Sequence, residues 1–415
     1  GGVVSARHHA TAYRWGIAYR FMHERHARVV VYQHQSTCVE AASRAGRGER
    51  SADRNNGSRE TAPIVRMPNA MSQDAGGRRQ RLANGSSSGA GRTLQHAKTD
   101  TSQRTARDWL NVLANYRKPS HGRSILELLV TGVPFVALWV LAWQAMSISY
   151  FLTLLLTVPA AFFLVRLFLI QHDCGHGSFF GRKAIDDWVG RVLGGFTLTP
   201  YDVWRRSHAI HHASSGNLDK RGVGDIDTLT IEEYNSRSPM RRFGYRLYRN
   251  PFVMFAIGPA VLFLLQHRIP LGLMRSGAIY WISAMGTNLA IALGVVAMIY
   301  LIGAGPFFMV HLPITLLAAS IGVWLFYVQH QFEDTFWAED GEWQVHDAAL
   351  MGSSHYDLPG PLPWLTAHIG VHHVHHLYSR IPFYRLPEVL RDYPELGKVR
   401  RMTLVQSFAC VRLRL

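Results

Sequence analysis

The sequence is poor in charged residues and in cysteine for its length. Only 17% of its 415 residues are charged, against about 25% in an average soluble domain, whereas 48% are hydrophobic. Three cysteines exclude a disulfide scaffold and a cysteine-rich zinc protein. Lysine is also scarce, since only 5 of the 44 basic residues are Lys, and the net charge is +16. These deficits indicate a large apolar core or a membrane, and they argue against a mainly disordered chain.

The first 104 residues differ from the rest of the chain. They are rich in Arg, Ala, Gly and Ser, show no sustained helical or strand period, and include linker-like stretches such as 75–92. We therefore predict a disordered basic extension over 1–104, with Met67 or Met71 as the native start, and a folded domain over 105–415. Arg-rich arms also occur in proteins that bind nucleic acid, but we expect no such partner here.

Four long apolar segments dominate the folded part. Crossing a bilayer as a helix takes roughly 20 residues; each segment reaches that length and carries at most one charged residue. Core helices of a soluble bundle would show a polar stripe, which these segments lack. The sequence predicts an all-α integral membrane protein with spans at about 125–147, 149–171, 278–302 and 306–328.

The connections between the spans indicate an orientation. A fifth apolar run, 251–266, is shorter, contains two prolines and a glycine, and is more typical of an interfacial or re-entrant segment. The loop 182–250 is rich in Arg and Lys, whereas the short loops between the first and second spans and between the third and fourth contain no charged residue. The positive-inside rule therefore places 172–277 and both chain ends in the cytoplasm.

Histidine is the residue type in excess, with 22 in the chain. Three clusters lie just outside the spans: HDCGH at 172–176, HAIHH at 208–212 and HHVHH at 372–376. Spacings of three and four residues place side chains on one helical face, where they can converge on an ion. About 0.06 HxxHH patterns are expected by chance at this composition, yet two occur.

The clusters offer eight candidate ligands, which suits two metal ions better than one. They are His172, His176, His208, His211, His212, His372, His375 and His376. Ligand type alone leaves iron, zinc, copper and nickel open. The three clusters can meet only if 251–266 does not cross the membrane, so we expect a cytoplasmic helical cap that carries the site.

A cysteine-accessibility scan over positions 230–290 tests this topology. We expect the chain to enter and leave 251–266 on the same face, because a crossing would put the third cluster in the other compartment. Reactive positions on opposite faces of that segment would contradict the convergence of the three clusters.

The three boxes, in this order and with these spans, resemble those of the membrane fatty acid desaturases, and most closely the acyl-lipid omega-6/omega-3 (delta-12-like) branch. The resemblance extends over roughly 105–413. It also rests on the motifs at 199–230, 328–337, 352–359 and 369–390. Relatives with similar boxes hydroxylate, ketolate or epoxidise, so the motifs specify the superfamily better than the reaction.

The resemblance implies a di-iron centre that activates O2 and removes two hydrogens from an acyl CH2–CH2 pair in a membrane lipid or acyl thioester. The eight box histidines would bind the two irons, with His330 as an additional ligand. No GxGxxG fingerprint and no HPGG cytochrome b5 motif are present. A separate electron donor, of the ferredoxin, rubredoxin or cytochrome b5 type, is therefore implied.

Carboxylates near the boxes are expected to orient the imidazole rings by accepting their N–H groups. The candidates are Asp173, Asp225 and Asp227, with weaker support for Glu333 and Asp334. His368 stands where the family pattern has Asn. It lies four residues before His372, on the same face if the segment is helical, and we expect it beside the ligands.

Two alternatives remain open from the residues. A hydroxylase or ketolase of lipids or carotenoids would use the same fold, and its product would gain oxygen instead of losing two hydrogens. A membrane metal carrier would also need histidines, but its ligands should lie near the bilayer midplane. Only His311 lies within a predicted span.

Overall fold

The computed structural model describes residues 105–413, so the predicted extension over 1–104 lies outside the described residues. Apart from two short strands, the regular elements of this part are helical. The α-helices are, in chain order, α1 (Ala106–Leu113), α2 (His121–Ala145), α3 (Tyr150–His176), α4 (Lys183–Phe196), α5 (Tyr201–Ser214), α6 (Ile231–Ser236), α7 (Pro239–Tyr248), α8 (Gly258–Leu264), α9 (Ala278–Ile302), α10 (Ala304–His330), α11 (Val345–Met351), α12 (Leu362–Leu365), α13 (His372–Leu377), α14 (Leu386–Asp392) and α15 (Leu404–Ser407).

Four of these helices, α2, α3, α9 and α10, are long and apolar enough to cross a membrane, which confirms the prediction of four spans. Helix α3 is central and packs against α2, α4 and α10. In its most apolar window 56% of the residues are buried, against 6% for α9, which therefore lies at the periphery. The all-α membrane fold is confirmed.

Two spans run further than the sequence predicts, and both extensions carry histidines. Helix α3 continues through the first box and ends at Gly177, whose φ of 65° is left-handed. Glycine adopts that conformation without a steric penalty, so the helix stops directly after His176. Helix α10 continues to His330, its last residue. Apolar content alone underestimates both helices, because their last turns are polar but remain hydrogen-bonded.

The segment 251–266 consists of a π-helical stretch at Val253–Ile257 followed by α8, and a 3-10 turn at Gln266–Arg268 continues it. It is bent by 61° relative to α7. A bend of that size, with two prolines in the segment, fits an interfacial or re-entrant element. That it does not cross the membrane stays a prediction.

A small parallel sheet organises the segment before the third box. Strand β1 (His355–Asp357) pairs with β2 (Arg401–Thr403), and Tyr356 aligns with Met402. The Tyr356 amide donates to the Gly370 carbonyl at 2.7 Å. A Cβ atom at position 370 would lie 2.3 Å from the Tyr356 oxygen, so only glycine permits this approach. The contact fixes the chain two residues before α13.

A buried ion pair joins the two N-terminal spans. Arg166 of α3 donates to Glu127 of α2, and the side chains of both residues are almost fully buried. Arg166 also donates to Thr131 Oγ1 at 3.0 Å and to the carbonyl of Trp364, whose ring lies 4.1 Å below the guanidinium. The pair therefore links both spans to α12, which precedes the third box.

We expect Glu127→Leu to lower the thermal unfolding midpoint markedly in one detergent, because it leaves the Arg166 cation buried without its partner. Breaking such a pair costs about 3–5 kcal/mol. The double variant Glu127→Leu/Arg166→Leu should recover much of the loss, since it removes both charges. A double variant no more stable than Glu127→Leu would contradict this account.

Candidate metal centre

The first box occupies the last turn of α3. His172 and His176 are four residues apart on that helix, so their rings share a face, with centroids 4.7 Å apart. Asp173 Oδ1 lies 3.1 Å from His172 Nδ1, and its Oδ2 accepts the Phe383 amide at 2.7 Å. One carboxylate therefore orients a ring of the first box and ties it to the segment after the third.

The second box lies on α5, which packs beside the end of α3. Gln171, next to the first box, donates to the Thr199 carbonyl at 3.1 Å and accepts from Thr197 Oγ1 at 2.5 Å. The Tyr201 hydroxyl donates to the Cys174 carbonyl at 2.9 Å. A Cβ at position 190 would collide with the Tyr201 ring at 2.2 Å, so Gly190 permits this packing. These contacts set α5 against the first box.

The third box forms the short helix α13 beside the end of α10. Gln329 Nε2 donates to the Ile369 carbonyl at 3.1 Å, which joins the last turn of α10 to the approach to α13. His373, the second residue of the box, has its Nε2 2.9 Å from the Leu396 carbonyl instead. The remaining three histidines of the box can therefore converge with those of the other helices.

The structure brings all nine predicted histidines together, in two groups. In each group the candidate ligand atoms lie within 4.8 Å of one another. Cluster one consists of His172, His176, His208, His212 and His375. Cluster two consists of His211, His330, His372 and His376.

The second and third boxes share the HxxHH pattern, but corresponding histidines of the two boxes belong to different clusters. In the second box the i,i+4 pair, His208 and His212, joins cluster one, and His211 joins cluster two. In the third box the i,i+4 pair joins cluster two, and His375 joins cluster one. Each box thus bridges both clusters. The sequence indicates two ions but does not show this division, because it depends on how the two helices face each other.

Spacings between the Nε2 atoms fit ligands of a common ion. In cluster one, His208 lies 3.1 Å from both His176 and His212, and His212 lies 3.2 Å from His375. In cluster two, His330 lies 2.9 Å from His372. With metal–nitrogen bonds of about 2.1 Å, ligands at right angles have nitrogens about 3.0 Å apart, and tetrahedral ligands about 3.4 Å. The observed separations of 2.9–3.2 Å lie close to the right-angle spacing.

The protonation pattern supports the same conclusion. His211 Nδ1 is hydrogen-bonded to Asp225 Oδ1, and His330 Nδ1 lies 3.4 Å from the Gly352 carbonyl. Both partners are acceptors, so each Nδ1 carries the proton and each Nε2 presents a lone pair. These two Nε2 atoms lie 3.2 Å apart. Two facing lone pairs repel each other unless a cation lies between them, so the residues fit a metal.

Burial keeps the box histidines in the form that binds metals. Removal from water, with the neighbouring imidazoles adding to it, lowers the pKa of the following residues well below the usual value: His208, His212, His372, His375 and His376. A neutral ring offers a lone pair, whereas a protonated ring does not. No proton must therefore be displaced from these rings before an ion binds at neutral pH.

Comparison with known proteins identifies the family. The family model for fatty acid desaturases matches residues 147–406. A fatty acid desaturase of Bacillus subtilis (strain 168) is 45% identical over 304 residues, covering 73% of this chain and 86% of that protein. This chain belongs to the fatty acid desaturase family. The match includes all three boxes and His330.

Two more distant relatives of the desaturase carry narrower names. The sn-1 acyl-lipid omega-3 desaturase (ferredoxin) of Synechocystis sp. is 28% identical over 250 residues, covering 57% of this chain and 66% of that protein. The sn-1 oleoyl-lipid 12-desaturase of Anabaena variabilis is 24% identical over 289 residues, covering 65% of this chain and 75% of that protein. These are members of the acyl-lipid branch.

The candidate carboxylates of the desaturase differ in whether they contact a cluster histidine. Asp173 and Asp225 contact Nδ1 of His172 and His211, respectively, and their orienting role stays a prediction. Asp227 is held through its main chain, whose N–H donates to the Tyr248 hydroxyl at 3.2 Å. Glu333 and Asp334 are exposed, and the latter pairs with Arg400 at 3.7 Å.

His368 does not share a helix with the third box. Ala367 and His368 have φ angles of 47° and 51°, so the chain turns here and α13 begins only at His372. His368 and His372 therefore do not lie on one face of a common helix, which was the basis for expecting His368 beside the ligands. His368 instead lines a cavity of about 220 Å³ together with His355 and Asp357.

Two aromatic side chains next to the clusters are missed by reading the sequence. The Trp204 ring stacks on His208 with centroids 4.5 Å apart and an interplanar angle of 18°. The Phe326 ring lies 5.0 Å from His211 and 5.1 Å from His330. Each aromatic residue lies four residues before a cluster histidine on the same helix. This i−4 spacing predicts a contact between the two rings and could have identified both residues from the sequence.

Replacing Asp225, the carboxylate hydrogen-bonded to His211, tests whether it orients that ring. We expect Asp225→Ala to weaken metal binding about ten- to a hundredfold, because partners of ligand histidines typically contribute that much. Metal content and affinity of the purified protein would be measured by mass spectrometry and chelator competition. Asp219→Ala is the matched control, since that carboxylate accepts the Asp340 amide instead. Equal metal content in both variants would contradict the assignment.

Proposed function

We propose that this chain is an O2-dependent di-iron desaturase that introduces a double bond into the fatty acyl chain of a membrane lipid or an acyl thioester. The observation that carries the proposal is the pair of imidazole clusters at the ends of two membrane-spanning helices, α3 and α10. Membership of the fatty acid desaturase family supports it.

The chemistry of the substrate supports iron over a metal without redox activity. A saturated acyl chain has no acidic proton, so no side chain can begin the reaction by acid–base catalysis. Zinc has no redox chemistry, whereas imidazole ligands suit iron as well. When bound, two irons would supply the oxidising power by which O2 removes two hydrogens from the chain.

The residues of this chain would bind the two irons, orient the ligand rings and exclude water from the centre. The proposed iron ligands are the nine histidines of clusters one and two. Asp173 and Asp225 hold the Nδ1 protons of His172 and His211, which keeps each Nε2 directed into its cluster. The Trp204 ring contacts two candidate ligands of cluster one, His172 and His208, and the Phe326 ring contacts two of cluster two. Such apolar cover limits the access of water to the oxidising site.

Substrate and electrons would reach the site from different sides. The chain is a membrane protein, and a lipid acyl chain can enter from the bilayer between the spans. Two electrons must come from a separate donor of the ferredoxin, rubredoxin or cytochrome b5 type, and the name of the Synechocystis relative supports ferredoxin. The Arg-rich connection between α3 and α9 supports a cytoplasmic position for the site.

The two alternatives have less support. A metal carrier needs ligands at the membrane midplane, but both clusters lie at helix ends, and His311 stacks on Phe307 at 5.1 Å without joining either cluster. A hydroxylase would use the same centre, but the relatives named above are desaturases. Desaturation is therefore the favoured reaction.

The fatty-acid profile of a bacterial host that expresses the whole chain tests the proposal. Gas chromatography–mass spectrometry should show a new acid two hydrogens lighter than a host acid. His208→Ala should abolish this product, because it removes a candidate ligand from cluster one. His346→Ala should retain it, since His346 belongs to neither cluster.

The outcomes separate the candidate reactions. A product that gains one oxygen, and that His208→Ala abolishes, would assign the chain to the hydroxylases. An unchanged profile, with the protein present in the membrane and an electron donor supplied, would contradict an acyl desaturase. Metal uptake into the host that does not require O2 would favour the carrier.

A further inference from the structure

Helix α7 presents a row of large apolar side chains that the rest of residues 105–413 leaves exposed. Met240, Phe243 and Leu247 are 77%, 56% and 51% exposed, respectively. Their i, i+3, i+7 spacing places them on one face of the helix. Phe252, just after the helix, is 70% exposed. An apolar row of this length is costly in water and marks a surface that contacts something apolar.

Arginines border this row along one side. Arg242 and Arg246 lie one turn apart on α7, next to Phe243 on the helical wheel. Among residues 105–413, no carboxylate forms a salt bridge with either side chain. Two cations beside an apolar face form the pattern of a helix that lies in the headgroup region of a bilayer, where arginines reach anionic phosphates.

The opposite face of α7 is fixed to the protein. Tyr245 is buried, and its hydroxyl accepts the Leu229 amide at 3.3 Å. The Tyr248 hydroxyl accepts the Asp227 amide at 3.2 Å. These contacts hold α7 against the segment that follows the second box. The outward direction of the apolar row is therefore set by the fold.

The chain continues from α7 directly into an apolar element. The bent pair formed by α7 and Val253–Arg268 has the hydropathy of a membrane segment, with a 61° angle between its halves. The second half contacts α10, one of the four spans. A helix joined by a sharp bend to a segment of this hydropathy would lie at the membrane edge, with the apolar row at the acyl boundary and the arginines at the phosphates.

We propose that α7 is an interfacial helix that binds anionic phospholipid headgroups through Arg242 and Arg246, with Met240, Phe243 and Leu247 inserted below them. The partner of this surface is a lipid rather than an acidic protein. The exposed face carries apolar side chains beside cationic ones, and the chain continues from it into a segment with the hydropathy of a membrane helix. This site is separate from the clusters, and the proposal does not depend on the proposed function.

Native mass spectrometry of the whole protein in detergent tests the proposal. Phosphatidylglycerol and phosphatidylcholine with the same acyl chains would be titrated separately. The protein should prefer phosphatidylglycerol, and Arg242→Gln/Arg246→Gln should weaken its binding on the order of tenfold or more, since each arginine near an anionic surface contributes about a factor of five. Arg380→Gln/Arg391→Gln removes two exposed arginines outside α7 and should leave the preference unchanged.

Each other result would overturn the proposal. Equal affinity of the unaltered protein for both lipids would exclude a headgroup site for anions. An undiminished preference in the α7 variant, with an unchanged melting temperature, would move the site elsewhere. If the α7 variant keeps its lipid preference but loses affinity for an acidic ferredoxin, the surface belongs to an electron donor instead.

Discussion

Repulsion between imidazole lone pairs is the constraint on which the rest of this structure depends. Hydrogen bonds at Nδ1 fix the proton on the outer side of His211 and leave its Nε2 facing that of His330 at 3.2 Å. Such a pair is unstable in a buried site unless a cation lies between the nitrogens. The helices must therefore hold the rings in place by contacts elsewhere, and those contacts are the polar ones that join the ends of α3, α5, α10 and α13.

The opposite roles of the two HxxHH boxes make the centre a single unit. Each box directs its i,i+4 pair to one cluster and its i+3 histidine to the other. A rotation of α5 or α13 about its axis would therefore disturb both clusters at once. The contacts of Gln171 and Gln329, each next to a candidate ligand, oppose such rotation of the helix they reach. Two glutamines that belong to no box thus have a role in the geometry of both clusters.

Much of this arrangement can be predicted from the sequence, because apolar length and histidine spacing are local properties. The four spans and the eight box histidines are of this kind, whereas the choice of His330 follows only from the resemblance to the family. The assignment of each histidine to a cluster cannot be predicted, since it depends on the mutual orientation of helices far apart in the chain. The expectation for His368 depended on a helix that the positive φ angles of Ala367 and His368 interrupt. The partners of Arg166, in α2 and before α13, are likewise distant in sequence. The presence of one arginine in an apolar span therefore does not predict which residues it contacts.

The position of the third box near the end of the chain has a consequence for biosynthesis. Helices α3 and α5 emerge from the ribosome with four of the five histidines of cluster one, but cluster two at that stage has only His211. Of its other members, His330 is the last residue of the second of two further spans, whereas His372 and His376, together with His375 of cluster one, follow that span. A nascent chain can therefore present at most an incomplete cluster one, and cluster two is complete only after translation through α13. Assembly of the two clusters is thereby coupled to the insertion of all four spans, and a chain arrested before α13 would leave cluster one without His375.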